Sequence, residues 1–462
     1  MLTFQDLLAV GSSETKRAEF LLQAIAEHEN SKKYKIGQLA AEFYAGNDPI
    51  LEKVEKLVYD LQGVVHKNIF APNHKIKTNY YQIFVMQMIS YSLGNGITFD
   101  DEKIKDVLGV KFDHDVMEWL QYAINDGESY AYVTENKITP MSIGSDKTKP
   151  IFVPLIDEET GAVKAGFKYW RLNDEKPLRI TLYEPQGYTE YKKPYGEKLS
   201  AISGLKAYKG TVTKFEAFDD VINAENVEGI PIVKLSFINN QSYIANRVNA
   251  LSAYNALLSK LVNNSSEADL VYWVLKNCDG MDAADDAEFL INLVRSRILH
   301  LQDGVEAEPK QLVVPHEGIV TALEILRKHL FYDFAAVDFE RTAGGNITTS
   351  EIKQAYENMN LKADKVEMLL ADAIADVLKL MGYEGTTFHF TRPKNINESE
   401  AIQTALAVAP YMGEEETTRT ICEIQGKIDS FEEIQAKKLA EMQSLTPMIN
   451  GGDTNATDDQ AE

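Results

Sequence analysis

The sequence predicts an α+β protein, and three observations carry that prediction. Residues 130–235 are short runs rich in β-branched and aromatic side chains, parted by turn residues. The flanking regions instead repeat apolar residues at i, i+3, i+4 spacing. Between Gly318 and Gly382 the helical pattern is strongest, with two helices on either side of a short glycine loop.

The N-terminal 70 residues read as helical, with FLLQAIAEHE and LEKVEKLVYDLQ carrying the periodicity. Gly46, Asn47, Asp48 and Pro49 mark a turn between them. APNHKIKTNYYQIFVMQMISYSLGNGITFD begins as a loop and becomes an apolar helix that ends at Gly94-Asn95-Gly96. VMEWLQYAINDGESYAYVTE runs from helix to strand through Asp126-Gly127. YAYVT, KPIFVPLID, AGFKYWRL, LRITLYEP, GYTEYKK, TVTKFEAF and IPIVKLSF are predicted strands of a mostly antiparallel region, with hairpin turns at GAVKAG and EPQGY.

NNQSYIANRVNALSAYNALLSKLVNNSSEAD returns to helix. LVYWVLKNCDG is a predicted strand, DDAEFLINLVRSRILHLQD a helix and KQLVVP a short strand. The central hairpin follows. GIVTALEILRKHLFYDFAAVD places Ile319, Leu323, Leu326, Leu330, Phe334 and Val337 on one stripe. Its loop, FERTAGGNITT, contains Gly344 and Gly345, which open backbone conformations closed to other residues. The next helix, EIKQAYENMNLKADKVEMLLADAIADVLKLM, has no Gly or Pro and spans roughly 45–50 Å. Its apolar face needs a partner surface along its length. FHF is a short strand, helices follow that are separated by Gly413 and Gly426, and the acidic NGGDTNATDDQAE terminus is expected to be disordered.

Composition narrows the function. The chain has 462 residues, enough for two or three domains, with 44% hydrophobic and 25% charged residues. No run of about 18 apolar residues predicts a membrane span, and MLTFQDLLAV lacks the marks of a signal peptide. Cys278 and Cys422 cannot build a disulfide framework and are expected to be reduced thiols in a cytosolic protein. A net charge of −23 opposes tight binding to nucleic acid. It fits a solvated acidic surface, or a protein that works beside nucleic acid without holding it.

Catalytic motifs are missing. The nearest approach to a phosphate-binding loop, IQGKID, has Ile421 at the upstream glycine position and Ile428 at the hydroxyl position. No Gly-x-Ser-x-Gly, His-Glu-x-x-His or Cys-x-x-Cys occurs. Asp113-His114-Asp115 reads as a solvated helix start rather than a metal site. Asp279, Asp282, Asp285, Asp286 and Glu288 lack calcium-loop spacing and suit a helix N-terminus. Trp119, Trp170 and Trp273 are expected to pack. Lys75 and Lys77 beside Tyr80 and Tyr81 form a small basic-aromatic patch, too short for a nucleic-acid surface but able to touch a phosphate. No catalytic, cofactor or metal residue is assigned.

The order of segments resembles the SPP1-type portal family of tailed bacteriophages. EFYAGNDPILEK, APNHKIKTNYYQIFVMQMISYSLGNGITF, NDGESYAYV and IPIVKLSFINNQ…ALSAYNALLSKLVNN carry the likeness, and the hairpin and HFTRPKNINESEA complete it over about residues 40–445. The family often has Ser-Gly before a small or apolar residue in the hairpin loop, where this chain has Ala343-Gly344-Gly345-Asn346. The resemblance implies a portal fold with a helical N-terminal region, a mostly antiparallel β region, long stem helices, a small α/β clip and a helical C-terminal crown. Residues 1–235 with 350–385 would be the wing, and 236–269 and 318–338 the stem helices. The clip would be 270–317, the tunnel loop 339–349 and the crown 386–446, followed by an acidic tail at 447–462.

It also implies function. The family forms a ring, dodecameric in the virion, at one capsid vertex, assembled in the host cytoplasm. DNA is packaged and ejected through that ring. Implied partners are further copies of the chain, terminase, head-completion or connector proteins, scaffold and major capsid protein, and the passing double-stranded DNA, with no membrane. Arg341, Thr342, Ala343, Gly344, Gly345, Asn346 and Thr348 would face DNA. Arg341, the loop's one cation, suits either a transient phosphate contact or a salt bridge to an acid such as Glu340. Asp282, Asp285, Asp286, Arg295 and Arg297 would dock partners at the clip. The competing readings are a metal-dependent nuclease built on the acids at 279–288, and an oligomeric scaffold without DNA.

Overall fold

A computed structural model describes residues 2–59, 64–68, 71–134, 136–208, 229–268, 271–276, 306–311, 316–338, 349–392, 398–424, 431–432 and 434–438. The chain divides into two units, Met1–Ala336 with Met359–Arg392, and Val337–Asn358 with Pro393–Glu462. Helices and sheets are mixed, as the α+β reading expects.

The first unit opens with α1 (Phe4–Val10), α2 (Glu14–Asn30), α3 (Lys32–Tyr44) and the single turn α4 (Pro49–Glu52). Thr3 and Asp6 cap α1 reciprocally, and the Asp48 carboxylate caps α4 with Pro49 in its first turn. The expected helix LEKVEKLVYDLQ does not form. After α4, Leu57–Tyr59 (β1) pairs with Val65–Lys67 (β2). A short apolar run fits either period, and Val58 and Val65 are β-branched residues that favour the ladder.

Next come α5 (Tyr80–Leu93), β3 (Ile97–Phe99) and α6 (Glu102–Asp126), the last broken at Gly109, whose φ is 68°. β4 (Glu128–Val133) and β5 (Ile138–Met141) join β11 (Ile232–Ser236) in a three-stranded sheet ordered β11-β4-β5. β6 (Ile151–Ile156), β7 (Val163–Trp170), β8 (Leu178–Glu184), β9 (Gly187–Lys193) and β10 (Ser200–Ala201) form a five-stranded meander. Every described ladder is antiparallel. EPQGY turns as expected, with Glu184 opposite Gly187. GAVKAG does not. The reversal lies earlier, where Asp157 accepts hydrogen bonds from the Glu159 and Thr160 amides and Gly161 takes a φ of 70°. TVTKFEAF lies outside the described residues.

α7 (Val248–Ala268) leads into β12 (Val271–Lys276), which pairs with β13 (Glu306–Gln311) ahead of α8 (His316–Asp333). β13 begins before the expected KQLVVP strand. The helix expected at DDAEFLINLVRSRILHLQD lies outside the described residues. α9 (Thr349–Met381) is the long helix, and β14 (Phe388–Phe390) pairs with β3.

Three cores fill this unit, one of them setting Tyr130, Met141 and Ile143 against Phe152 and Tyr183 on part of the meander's other face. The largest draws on α5, α6, the end of α8 and the Met359–Met381 part of α9, with Trp119, Phe84, Phe334 and Leu370 fully buried. The remaining one packs Leu7 and Leu21 of α1 and α2 on the inner face of the meander, against Phe167 and Leu182. In the second unit, α10 (Glu398–Met412) and α11 (Glu414–Ile424) hinge at Gly413, whose φ is 84°, and the Cys422 thiol is buried and free.

Candidate functional site: the foot of the helix pair

α7 and α8 run antiparallel and pack together, with the β12–β13 ladder closing one end. α7 carries a polar stripe, Ser252, Asn255, Ser259 and Asn263, at i, i+3, i+7, i+11 spacing, and all four are buried. Buried polar groups need partners, and an extended segment supplies them. The His74, Ile76 and Thr78 amides donate to Asn263 Oδ1 at 2.7 Å, Ser259 Oγ at 2.9 Å and Asn255 Oδ1 at 3.1 Å. Alternate backbone amides of a strand-like segment are thus read by successive turns of one helix face. The Asn255 amide and the Ser252 hydroxyl donate in turn to Asp48, tying α7 to the cap of α4.

The intervening residues Lys75 and Lys77 point to Glu52. Lys77 sits 2.5 Å from its carboxylate, and these bonds hold the Glu52 pKa below its usual value. Tyr81 is buried in the core. The basic-aromatic patch read from sequence is therefore an internal clamp, with its lysines already paired.

At the other end, α8 stops in a Schellman turn. The Ala336 amide donates to the Phe331 carbonyl at 2.9 Å and the Ala335 amide to that of Tyr332 at 3.0 Å, while Ala335 takes a φ of 47°. The expected helix to residue 338 ends at Asp333 for this reason. The end of α9 uses the same device with a glycine, Gly382 at a φ of 90°.

Two cations hold the exposed carbonyls of this helix end. Arg247 donates to the Asp333 carbonyl at 3.1 Å and to those of Tyr243 at 3.1 Å and Ala245 at 3.3 Å. Its guanidinium lies 5.3 Å from the Phe334 ring centroid. The Lys362 ammonium lies 3.8 Å from the Tyr243 ring centroid and 3.5 Å from the Phe334 carbonyl. Burial, with the Arg247 charge second, pushes the Lys362 pKa down to about 7. No carboxylate pairs with either cation among the described residues; rings and the negative end of the α8 dipole take that place. The Tyr243 hydroxyl also donates to the Phe334 carbonyl.

Three consecutive residues at the end of α6 brace the foot. Asn125 accepts from the Tyr81 hydroxyl at 2.9 Å. Asp126 accepts from the Ile143 amide at 3.0 Å and the Ser145 hydroxyl at 2.9 Å, and burial raises its pKa to about 7. Gly127, at a φ of 89°, leaves no room for a side chain: a Cβ there would lie 2.8 Å from the Gln241 and Ser242 backbone. That backbone belongs to the INNQ turn, where Asn239 and Asn240 take φ values of 57° and 53°. The NYY, NDG and INN segments, far apart in sequence, meet here.

A family model described as phage portal protein, SPP1 Gp6-like, matches residues 23–443. The chain belongs to this family. Among its relatives, the portal protein of Clostridium phage phiCD119 is 23% identical over 394 residues, 78% of this chain and 82% of that protein. The portal protein of Bacillus phage SPP1 is 20% identical over 449 residues, 88% of this chain and 85% of that one. A solved structure described as "Neck of native GTA particle computed with C12 symmetry" is similar over 74% of this chain and 89% of the other, at 11% identity and a TM-score of 0.37.

For this portal family member, the residues singled out from sequence at 341–346 and 348, and at 282, 285, 286, 295 and 297, lie outside the described residues. So does the acid cluster at 279–288. Asp113 lies within α6 rather than at a solvated helix start, and the Lys105 ammonium pairs with it at 2.6 Å. Among the described residues no group of three His, Cys, Asp or Glu side chains is placed to hold an ion. No described helix is long and apolar enough to cross a membrane. Sequence reasoning passed over Arg247 and Lys362. Lys362 had a signal: it lies three residues from Met359 and four from Val366, on the apolar face of its helix.

Proposed function

We propose that the chain is one subunit of a closed ring forming the portal channel at a phage capsid vertex, through which double-stranded DNA is packaged and later ejected. The family match over residues 23–443 carries this reading. In it, residues 1–235 with 350–385 are the wing, and α7 and α8 the stem. Residues 270–317 are the clip, 339–349 the tunnel loop and 386–446 the crown.

The helix pair supports the stem assignment: a ladder closes one end, and the foot, with its carbonyls fixed by Arg247 and Lys362, anchors the other. The net charge of −23 supports a wall that repels phosphate, so that a duplex slides rather than binds. Terminase and head-completion proteins dock on the clip through Asp282, Asp285, Asp286, Arg295 and Arg297, and scaffold and capsid proteins surround the wing. The protein itself does no catalysis. ATP hydrolysis belongs to the motor chain, consistent with the missing phosphate-binding loop.

The test is to assemble heads with Gly344→Ala and Gly345→Ala together and measure nuclease-protected DNA. A loop that must follow a moving duplex gives normal heads with reduced DNA. Normal DNA content reduces the loop to a connection, and failed ring assembly places it elsewhere in the structure.

A further inference from the structure

Residues 137–208 carry twelve Lys and Arg against nine Asp and Glu, in a chain whose overall balance is −23. Part of this excess sits on one face. Strand alternation turns Phe167, Ile180 and Tyr191 into the core and leaves Lys168, Trp170, Arg179 and Lys192 on the outer side of the meander. Register aligns them, with Trp170 opposite Arg179 and Arg179 opposite Lys192, while Lys168 stands one row away. Lys168, Trp170 and Arg179, with Lys176 and Glu190, border a cleft of about 570 Å³, and Lys192 stands next to Arg179 beyond its lining. Lys168 is held 5.9 and 5.7 Å from the Tyr132 and Tyr183 rings, and burial lowers its pKa. Glu190, the nearest acid in the rows, is taken by Lys206 at 2.6 Å. Among the described residues, Lys168, Lys176, Arg179 and Lys192 have no carboxylate at ion-pair distance. The cleft rim is apolar and open, with Leu172 69% and Ile202 55% exposed.

We propose that this face is a docking surface for an acidic protein segment that also carries apolar side chains. Its carboxylates would meet Arg179, Lys192 and the recessed Lys168, and its apolar residues would cover Trp170, Leu172 and Ile202. Charge complementarity within an acidic protein selects such a partner. The dimensions separate it from nucleic acid. Three strands span only about 10 Å, and Asp174, Glu175 and Glu197 lie close by in the chain. A duplex backbone extends past the patch into these acids within about one Debye length, roughly 10 Å, whereas a short acidic segment ends with it. The inference goes beyond the channel reading and stands or falls separately from it.

The experiment is fluorescence anisotropy of the full-length protein with a labelled peptide rich in Asp, Glu and Leu. The expected result is binding that weakens with added salt and falls about tenfold with Arg179→Glu and Lys192→Glu together. The charge-matched control Lys328→Glu with Lys365→Glu, at exposed sites on α8 and α9, should bind as the parent does. Arg179→Gln with Lys192→Gln serves as a second variant should charge reversal disturb the fold, which circular dichroism checks. No peptide binding at low salt overturns the proposal. So does equal weakening by the control pair, which would mean net charge alone, and so does displacement of the peptide by a short DNA duplex, which would make the face a nucleic-acid surface.

Discussion

The foot of the helix pair and the outer face of the meander each hold cations without carboxylate partners, yet they use them oppositely. At the foot, Arg247 and Lys362 are drawn onto backbone carbonyls and aromatic rings. On the meander, Arg179 projects from a sheet surface into an open cleft, with Lys192 opposite it on the next strand. The difference teaches that an unpaired cation has meaning only through what desolvates it. Where helix-end carbonyls and rings replace water, the Arg247 charge is part of the scaffold and salt barely reaches it, while burial drives Lys362 toward its neutral form. Where water remains, the charge is free for a partner and contributes little to folding.

The comparison breaks most readily at Gly127. Alanine there adds a Cβ against backbone that cannot step aside, in a left-handed conformation. The expected loss is about 3 kcal/mol or more, read as a lower urea midpoint. Arg247→Ala comes next. It strips three carbonyls of a charged donor, and a loss of about 2–3 kcal/mol is expected. That loss should be the same in low and high salt, whereas Arg179→Ala should stay within about 0.5 kcal/mol of the parent.

The pH dependence sharpens the contrast. Lys362 titrates near 7 in the folded protein instead of its ordinary 10.5, so the unfolded chain binds the extra proton between those values. Stability therefore rises with pH across that window and is lost as pH falls toward 7. Asp126 acts in the other direction. Its pKa is raised from 3.8 to about 7, so its contribution is complete below 3.8 and is lost as pH rises to 7. The two together predict a minimum near neutrality. In Lys362→Met the rise above pH 7, worth up to about 2 kcal/mol over two pH units, should vanish while the acid limb persists. Urea midpoints at pH 5, 7 and 9 measure both limbs. A small gain is expected from Ala335→Gly, which relieves the positive φ at the end of α8 and should stabilise by about 0.5 kcal/mol.

Much of this architecture is legible in the residues. Asp126-Gly127 marks the end of α6, Gly413 the break between α10 and α11, and Pro185-Gln186 the β8–β9 turn. The long helix follows from its unbroken apolar face. What eluded the sequence are features set by distant partners. β1 forms because Val65–Lys67 lies beside it, and a local period cannot report a ladder. The end of α8 is hidden because Ala335 takes a conformation that usually calls for glycine. The foot escaped because its basic side chains match no motif of charge with charge. Their partners are carbonyls and rings, which a string of letters does not show. The polar stripe of α7 was equally unmarked, since Asn and Ser at helical spacing look solvated until the extended segment at 74–78 is laid against them.

The central claim, that this chain builds a ring-shaped channel on the rigid helix pair, is tested most directly by negative-stain imaging of the purified protein with light scattering over a range of salt and concentration. The account predicts closed rings with an axial opening. A stable monomer under every condition, or a closed assembly with no opening along its axis, would contradict it.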